Sequence, residues 1–197
     1  MTAKVKQNAP HRLIVEGRDD QWSIIALTTR NGWDWNNPSP YLPYINNAEG
    51  VENALEAIDV SIRTYHRVGI VLDADIAPMD RWNAVRTRLS PSGLSLPDSP
   101  RSEGTIIEGH GKRFVVWLMP DNRSPGKLED FLAVLIPPED RCWPWAEQAT
   151  LKARIHTWLA WQQEPGLPFG TAITAATFAH NATLATTFVK WMTQLYT

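Results

Sequence analysis

Residues 13–20, LIVEGRDD, bring an apolar strand to an abrupt acidic end. Three apolar residues lead into Glu16, a glycine follows, and Asp19 and Asp20 come directly after an arginine. Asp19 or Asp20 is well placed to cap the helix that the following residues predict. That role does not account for Glu16, because a carboxylate that closes a buried strand is costly unless it is paired. Whether the stretch belongs to a metal site depends on matching acids elsewhere in the chain.

A second stretch, VGIVLDAD at residues 68–75, has the same form. Its continuous apolar run is typical of a strand buried on both faces in a parallel sheet. On an extended chain, the side chains of Asp73 and Asp75 point the same way. Two like charges there need a positive partner, and a divalent cation is the simplest one. In the alternative, one aspartate caps the helix that begins near Pro78 and the other pairs with an arginine.

A third apolar run, residues 114–119, is followed by Asp121, and Glu129 and Asp130 lie in the first turn of the next predicted helix. Acids in a first helical turn interact favourably with the helix dipole whatever the function. The ends of parallel strands nevertheless meet at one edge of a sheet, where ligands bind in open α/β folds. The three clusters together predict a magnesium site at that edge.

Strands alternate with helices along the chain, which predicts an α/β sandwich with a mostly parallel central sheet flanked by helices. We assign residues 1–150 to this domain and residues 151–197 to a C-terminal helical extension packed on it. The ten tryptophans are expected to be mainly packing residues. The side chains of the extension that we expect to be largely buried are those of Trp158, Leu159, Phe188 and Trp191.

Composition excludes several classes of protein. A formal net charge of -2 excludes a strongly basic nucleic-acid binder as a description of the whole chain. Cys142 is the only cysteine, which excludes an intrachain disulfide and a cysteine-based zinc site. No apolar run is long enough for a membrane span, and the N-terminus lacks the pattern of a signal peptide. We therefore expect a cytoplasmic protein without a membrane partner.

The order of LIVEGRDD, a helix and VLDAD resembles the Toprim domain, the metal-binding α/β module of topoisomerases, primases and OLD-family nucleases. The later segments MPDN, GKLEDFL and WLAWQQEPGLPFGTAI further resemble small standalone Toprim-like bacterial proteins of unknown function. The first likeness covers residues 12–75, and the second covers most of the chain. The resemblance implies a Toprim-like sandwich that binds Mg²⁺ or Mn²⁺.

The resemblance also implies roles for individual residues. Glu16 would be a metal ligand or a general acid and base, and Asp73 and Asp75 would bind Mg²⁺. Asp20 matches a second acid of OLD-type nucleases, and Glu129 or Asp130 would match their downstream acid. The metal ligands implied in this way are Glu16, Asp20, Asp73, Asp75 and Glu129.

The chain also departs from the family pattern. It has no Walker A loop, because EGHGKR lacks the required spacing and the Ser or Thr after the lysine. An ATPase, if one is needed, would therefore be a separate protein. The downstream lysine of OLD nucleases has three candidates, Lys112, Lys127 and Lys152, and the sequence does not choose among them. No tyrosine lies in a topoisomerase context, which argues against strand passage.

These expectations lead to a Mg²⁺-dependent phosphoryl-transfer protein, a DNA nuclease or nicking subunit that acts with a separate partner. Arg18, Arg81 and Arg88 are the candidates for holding phosphates. The alternative for these arginines is a solvated helix face or pairing with local acids. The alternative for the protein is a non-catalytic regulatory or structural module that works through a partner. Cleavage of RNA rather than DNA, and self-association, are left open.

Overall fold

The structure, a computed structural model, describes residues 9–36, 42–150 and 153–195. The strands in these ranges are β1 (His11–Val15), β2 (Tyr44–Asn47), β3 (Arg67–Asp73), β4 (Thr105–Gly109) and β5 (Lys112–Met119). The helices there are α1 (Arg18–Arg30), α2 (Val51–Thr64), α3 (Pro78–Leu89), α4 (Leu128–Val134), α5 (Trp143–Ala146), α6 (Arg154–Ala160), α7 (Phe169–Thr174) and α8 (Thr183–Gln194). None of the helices in the described part is long and apolar enough to cross a bilayer.

The strands form one sheet in the order β2-β1-β3-β5-β4. The pairs β1–β2, β1–β3 and β3–β5 are parallel, and β4 alone runs antiparallel to its neighbour β5. The predicted mostly parallel sheet flanked by helices is therefore confirmed. The arrangement is consistent with a Toprim-like sandwich.

Alternate residues of the central strands point to opposite faces of the sheet, as the two-residue period of a strand requires. Leu13, Val71 and Val115 belong to a core on the face covered by α1 and by α4 to α8. Ile14 and Ile70 belong to a second core on the face covered by α2 and α3. Both faces are thus buried, which explains why β3 is a continuous apolar run.

The chain leaves β1 and β3 towards opposite faces of the sheet. α1 follows β1 and packs in the first core, whereas α3 follows β3 and packs in the second. Neighbouring loops therefore diverge at the carboxyl ends of β1 and β3, which is where an open α/β sheet binds ligands. Glu16 and Asp73 lie on the two sides of this point.

The described part of the C-terminal extension packs on the face that also carries α1. Its helices α6, α7 and α8 share one continuous core with the sheet. The predicted burial is confirmed, since Trp158, Leu159, Phe188 and Trp191 are at most 2% exposed. The boundary at residue 150 stays a prediction. The expectation that the tryptophans serve mainly in packing is confirmed, although Trp145 and Trp161 are exposed. The buried ones are Trp35, Trp82, Trp117, Trp158 and Trp191.

Candidate metal-binding site

Four carboxylates meet at the carboxyl edge of the three central strands. Glu16 follows β1, and Asp20 lies in the first turn of α1. Asp73 ends β3, and Glu129 lies in the first turn of α4, the helix after β5. β3 lies between β1 and β5, so Asp73 occupies the middle of the group. We call Glu16, Asp20, Asp73 and Glu129 the acid cluster.

Backbone hydrogen bonds hold Glu16 and Asp73 in place. The Asp73 N–H donates to Glu16 Oε1 over 2.8 Å, which ties the end of β1 to the end of β3. The Leu128 N–H donates to Asp73 Oδ1 over 3.0 Å, which ties β3 to α4. In the described part of the chain, no donor bonds the second oxygens, Glu16 Oε2 and Asp73 Oδ2. Those oxygens remain for a ligand.

Asp20 is both a helix cap and a member of the cluster. Its Oδ2 accepts a hydrogen bond from the Gly17 N–H over 3.0 Å, which satisfies a free donor at the start of α1. The side chain comes so close that a Cβ at position 17 would lie 3.1 Å from Oδ2. Asp20 is 9% exposed. The glycine in LIVEGRDD therefore makes room for a buried carboxylate.

Burial and mutual repulsion shift the acids of the cluster towards their protonated forms. Burial, followed by the charges of Asp20 and Glu16, raises the pKa of Asp73 to about 8. Burial and the charge of Glu16 raise the pKa of Asp20 to about 7. Burial also raises the pKa of Glu16, against the hydrogen bond from the Asp73 backbone. Glu129 contributes to the raised pKa of both aspartates, so it lies within electrostatic range of them.

Asp75 differs from Asp73 in conformation and in partners. The extended conformation expected for residues 73–75 is wrong, because β3 ends at Asp73 and Asp75 has φ 53°. The cause is a two-way backbone bridge between Asp75 and Gly126, with N···O distances of 2.9 and 2.7 Å. The Asp75 side chain is turned to two cations, Arg81 Nη2 and Lys127 Nζ, each at 2.6 Å.

The pairing of Asp75 with an arginine is the alternative that the sequence left open. The hydrogen bond from Lys127, ahead of that from Arg81, lowers the pKa of Asp75 despite its partial burial. Its role as a metal ligand stays a prediction, and in that role it would first have to give up one of these ion pairs. The two aspartates of VLDAD therefore have different environments.

The three arginines predicted to hold phosphates have different surroundings. Arg81 is engaged, since it pairs with Asp75 and its Nε donates to the Asp73 carbonyl over 2.9 Å. Arg18 is exposed at the start of α1, beside the cluster. Arg88 is exposed on α3, about 10 Å beyond Arg81 along the helix and away from the carboxyl edge.

Among the lysines, Lys127 lies at the site. Its charge reaches Glu16 and Asp73 and opposes the rise in their pKa values. Lys112 begins β5 at the opposite edge of the sheet, and Lys152 lies outside the described residues. Sequence reasoning left these three unresolved. Of the two described lysines, Lys127 is the one beside the acid cluster, because it directly precedes the helix that carries Glu129. Its match to the lysine of OLD nucleases stays a prediction.

Two further acids of the third cluster have local roles. Asp121 uses both oxygens within its own turn, accepting from the Arg123 N–H, the Ser124 N–H and the Ser124 hydroxyl. Asp130 accepts from the Lys127 N–H over 2.8 Å and thereby caps α4. Of the alternatives Glu129 and Asp130, Glu129 is the one within electrostatic range of Asp20 and Asp73.

The donor atoms of the acid cluster suit Mg²⁺ or Mn²⁺, but their present arrangement does not. Its oxygen donors are those that hard divalent cations prefer, and such a cation would relieve the repulsion between the ionised carboxylates. As the side chains stand, however, no three Asp, Glu, His or Cys side chains of the described residues are arranged to hold an ion. Binding would require the free carboxylate oxygens to turn towards one point.

Comparison with known proteins gives a family. Residues 10–197 match the model of DUF3226, described as a protein of unknown function. The match covers nearly the whole chain, which therefore belongs to this family. No curated protein and no solved structure gives a significant match to the chain. The resemblance to Toprim domains and OLD-family nucleases stays a prediction.

Proposed function

We propose that this member of the DUF3226 family is a Mg²⁺-dependent phosphoryl-transfer protein, and specifically a DNA nuclease or nicking subunit that acts with a separate partner. The observation that carries the proposal is the acid cluster at the carboxyl edge of the sheet. Burial and mutual repulsion raise the pKa of Asp20 and Asp73 to about 7 and about 8. Clustered carboxylates with strongly shifted pKa values are typical of functional sites.

The residues of the cluster have distinct parts in this proposal. Glu16, Asp20, Asp73 and Glu129 would hold Mg²⁺ or Mn²⁺. A bound cation would supply charge stabilisation to a phosphodiester undergoing substitution. Glu16, whose pKa is raised by burial, is the proposed general acid and base, since catalysis favours a pKa near the working pH. Arg18 is exposed beside the cluster and would bind a neighbouring phosphate of the nucleic acid.

The proposal includes a cytoplasmic location, where both DNA and a partner ATPase with its nucleotide are available. A partner is expected because the chain has no Walker A loop. Lys127, a cation beside the cluster, is bound to Asp75. It would have to exchange Asp75 for a phosphate in order to assist the reaction.

The second candidate is a non-catalytic regulatory or structural module that works through a partner. It is favoured by the ion pairs that occupy Asp75 and by the capping role of Asp20. Both contacts consume carboxylate oxygens in holding the fold. In this case the acid cluster would be a feature of folding or of partner binding, without a divalent cation.

The test combines ion binding with cleavage. The full chain is titrated with Mn²⁺ by calorimetry, melted with and without Mg²⁺, and incubated with supercoiled plasmid and either ion. Asp73→Asn should weaken ion binding by at least about tenfold, because a neutral amide is a poorer ligand for a hard cation. Asp19→Asn is the matched control, because it removes an exposed acid one residue from Asp20. The control should leave ion binding within about twofold of the unaltered chain.

The outcomes separate the two candidates. Ion binding that depends on Asp73, together with ion-dependent nicking, supports the catalytic proposal. Ion binding without nicking supports the metal site alone. Cleavage would then be measured again in the complex with a partner. A melting temperature that ignores both ions, with no heat of binding and no nicking, leaves the non-catalytic module.

A further inference from the structure

The amino edge of the sheet has the opposite charge to the carboxyl edge. Arg12, Arg67, Lys112 and Arg113 lie at the starts of β1, β3 and β5. Along β3, the start is about 20 Å from the acid cluster, since a strand rises about 3.3 Å per residue. Burial first, and then the positive charge of Arg67, lower the pKa of His11 at this edge. The field here is therefore positive.

A cleft opens at this edge between β3 and the turn that joins β4 to β5. Its volume is about 310 Å³. His110 and Gly111 in the turn have φ 52° and 70°, which is typical of a tight hairpin. The side chains that line the cleft are those of His66, Arg67, Glu108, Lys112 and Arg113.

Two of the three cations in the cleft are held in position by the protein. Lys112 Nζ donates to the Tyr65 carbonyl over 3.2 Å and to the Arg63 carbonyl over 3.4 Å. These partners are neutral, so they orient the ammonium group without cancelling its charge. Arg113 pairs with Glu108 and also donates to the Gln194 carbonyl over 2.6 Å. Glu108 thus balances Arg113 only.

Arg67 is the cation of the cleft that pairs with no side chain of the described residues. The residue is half-buried, and no acidic side chain in the described part of the chain forms an ion pair with it. A half-buried charge without a counter-ion is unfavourable. An anion that enters the cleft would meet Arg67 and the fixed ammonium of Lys112 together. A guanidinium binds planar or tetrahedral oxyanions through two parallel hydrogen bonds.

We propose that the cleft between Arg67 and Lys112 is a binding site for a phosphate group. Its volume is at the lower end of the range of small-molecule pockets, which suits a phosphate with a small attached group. The phosphate comes either from a free phosphorylated molecule or from the backbone of a nucleic acid. The site is independent of the acid cluster, which lies at the other edge of the sheet.

The test measures binding to the full chain in a buffer with a chelator, so that divalent ions do not contribute. The probes are inorganic phosphate, adenosine 5′-monophosphate and a single-stranded DNA of about 20 nucleotides. Arg67→Gln and Lys112→Gln should each weaken binding by about tenfold or more, as expected for a lost charged hydrogen bond. Arg123→Gln is the control, since Arg123 is exposed near the opposite edge. The control should change affinity by less than about twofold.

The probes distinguish the source of the phosphate. Binding of phosphate or the mononucleotide that depends on Arg67 supports a site for a free phosphorylated molecule. If only the DNA binds, and its binding depends on Arg67, the site contacts the phosphate backbone of a nucleic acid. The melting temperature of each variant checks its fold, and Lys112→Gln carries the test if Arg67→Gln does not fold. Absence of binding for all probes, or equal loss in the control, overturns the proposal.

Discussion

Glu129 and Phe131 lie two residues apart in α4, yet they belong to regions of opposite character. Phe131 is 2% exposed and contacts Phe188 with ring centroids 5.6 Å apart. The Phe188 ring packs edge-on against Trp117, with ring centroids 5.1 Å apart. It is tilted against Trp191, with ring centroids 5.5 Å apart. We call these four side chains the aromatic layer. Glu129 instead adds its charge to the acid cluster.

The two regions contribute to folding with opposite sign. The aromatic layer buries large apolar side chains in mutual contact, which stabilises the fold. The acid cluster gathers carboxylates that burial and repulsion push towards protonation, and this destabilises the fold wherever they are ionised. Residues that lower stability yet keep a defined geometry are expected at functional sites. The contrast therefore supports reading the acid cluster as functional.

The largest expected effect comes from removing part of the aromatic layer. Trp191→Ala should lower the free energy of unfolding by roughly 3–5 kcal/mol, because it empties a fully packed volume. A Cβ at position 104 would lie 2.2 Å from Trp191 Cδ1, so backbone packs directly on the indole. Denaturant unfolding measures the change. Trp161→Ala is the control, since Trp161 is 51% exposed, and similar losses in both variants would refute the assignment of the layer to the core.

A smaller effect of opposite sign is expected in the acid cluster. Asp73→Asn should raise the free energy of unfolding by roughly 2 kcal/mol at about pH 8, because it removes a buried, repelled charge. The amide oxygen can still accept from the Leu128 N–H, which now donates to Oδ1. Chemical denaturation in a chelating buffer measures this. A lower stability for the variant would show that nearby groups balance the negative charge of Asp73. The acid cluster would then stabilise the fold, as the aromatic layer does.

The same prediction has a pH dependence. The pKa of Asp73 is raised from 3.8 to about 8 in the folded protein. Between these values the folded state holds a proton that the unfolded chain has lost, so this group makes stability fall as pH rises from about 4 to about 8. Asp20, with a pKa raised to about 7, acts in the same direction. Asp73→Asn should flatten this slope, and Asp19→Asn should leave it unchanged.

The sequence predicts the sheet and the position of the cluster because both follow from local pattern. Buried parallel strands are continuous apolar runs, and their carboxyl ends must meet at one edge. Glu16 and Asp73 are found there for that reason. The backbone conformation of Asp75 could not be predicted, since its φ of 53° depends on a bridge to Gly126, which lies far along the chain. Likewise, the placement of Lys127 at the acid cluster and of Lys112 at the opposite edge depends on the order of the strands in the sheet.

The smallest expected effect distinguishes Asp75 from Asp73. Asp75→Asn should lower the free energy of unfolding by about 1 kcal/mol, because it removes the charge that pairs with Arg81 and Lys127. The loss is small since Asp75 and Lys127 are 36% and 43% exposed and solvent screens them. Unfolding at low and high salt measures it, and the loss should shrink at high salt.

A double-mutant cycle with Lys127→Met shows whether the ion pair itself is responsible. Its coupling energy should be roughly 0.5 kcal/mol or more, since the two groups are in direct contact. The pKa of Asp75 is lowered in the folded protein. Its contribution is therefore present above about pH 4 and is lost as pH falls further, opposite to that of Asp73. A variant that gains stability, or a coupling of zero, would mean that Asp75 belongs with the acid cluster and is available to a cation.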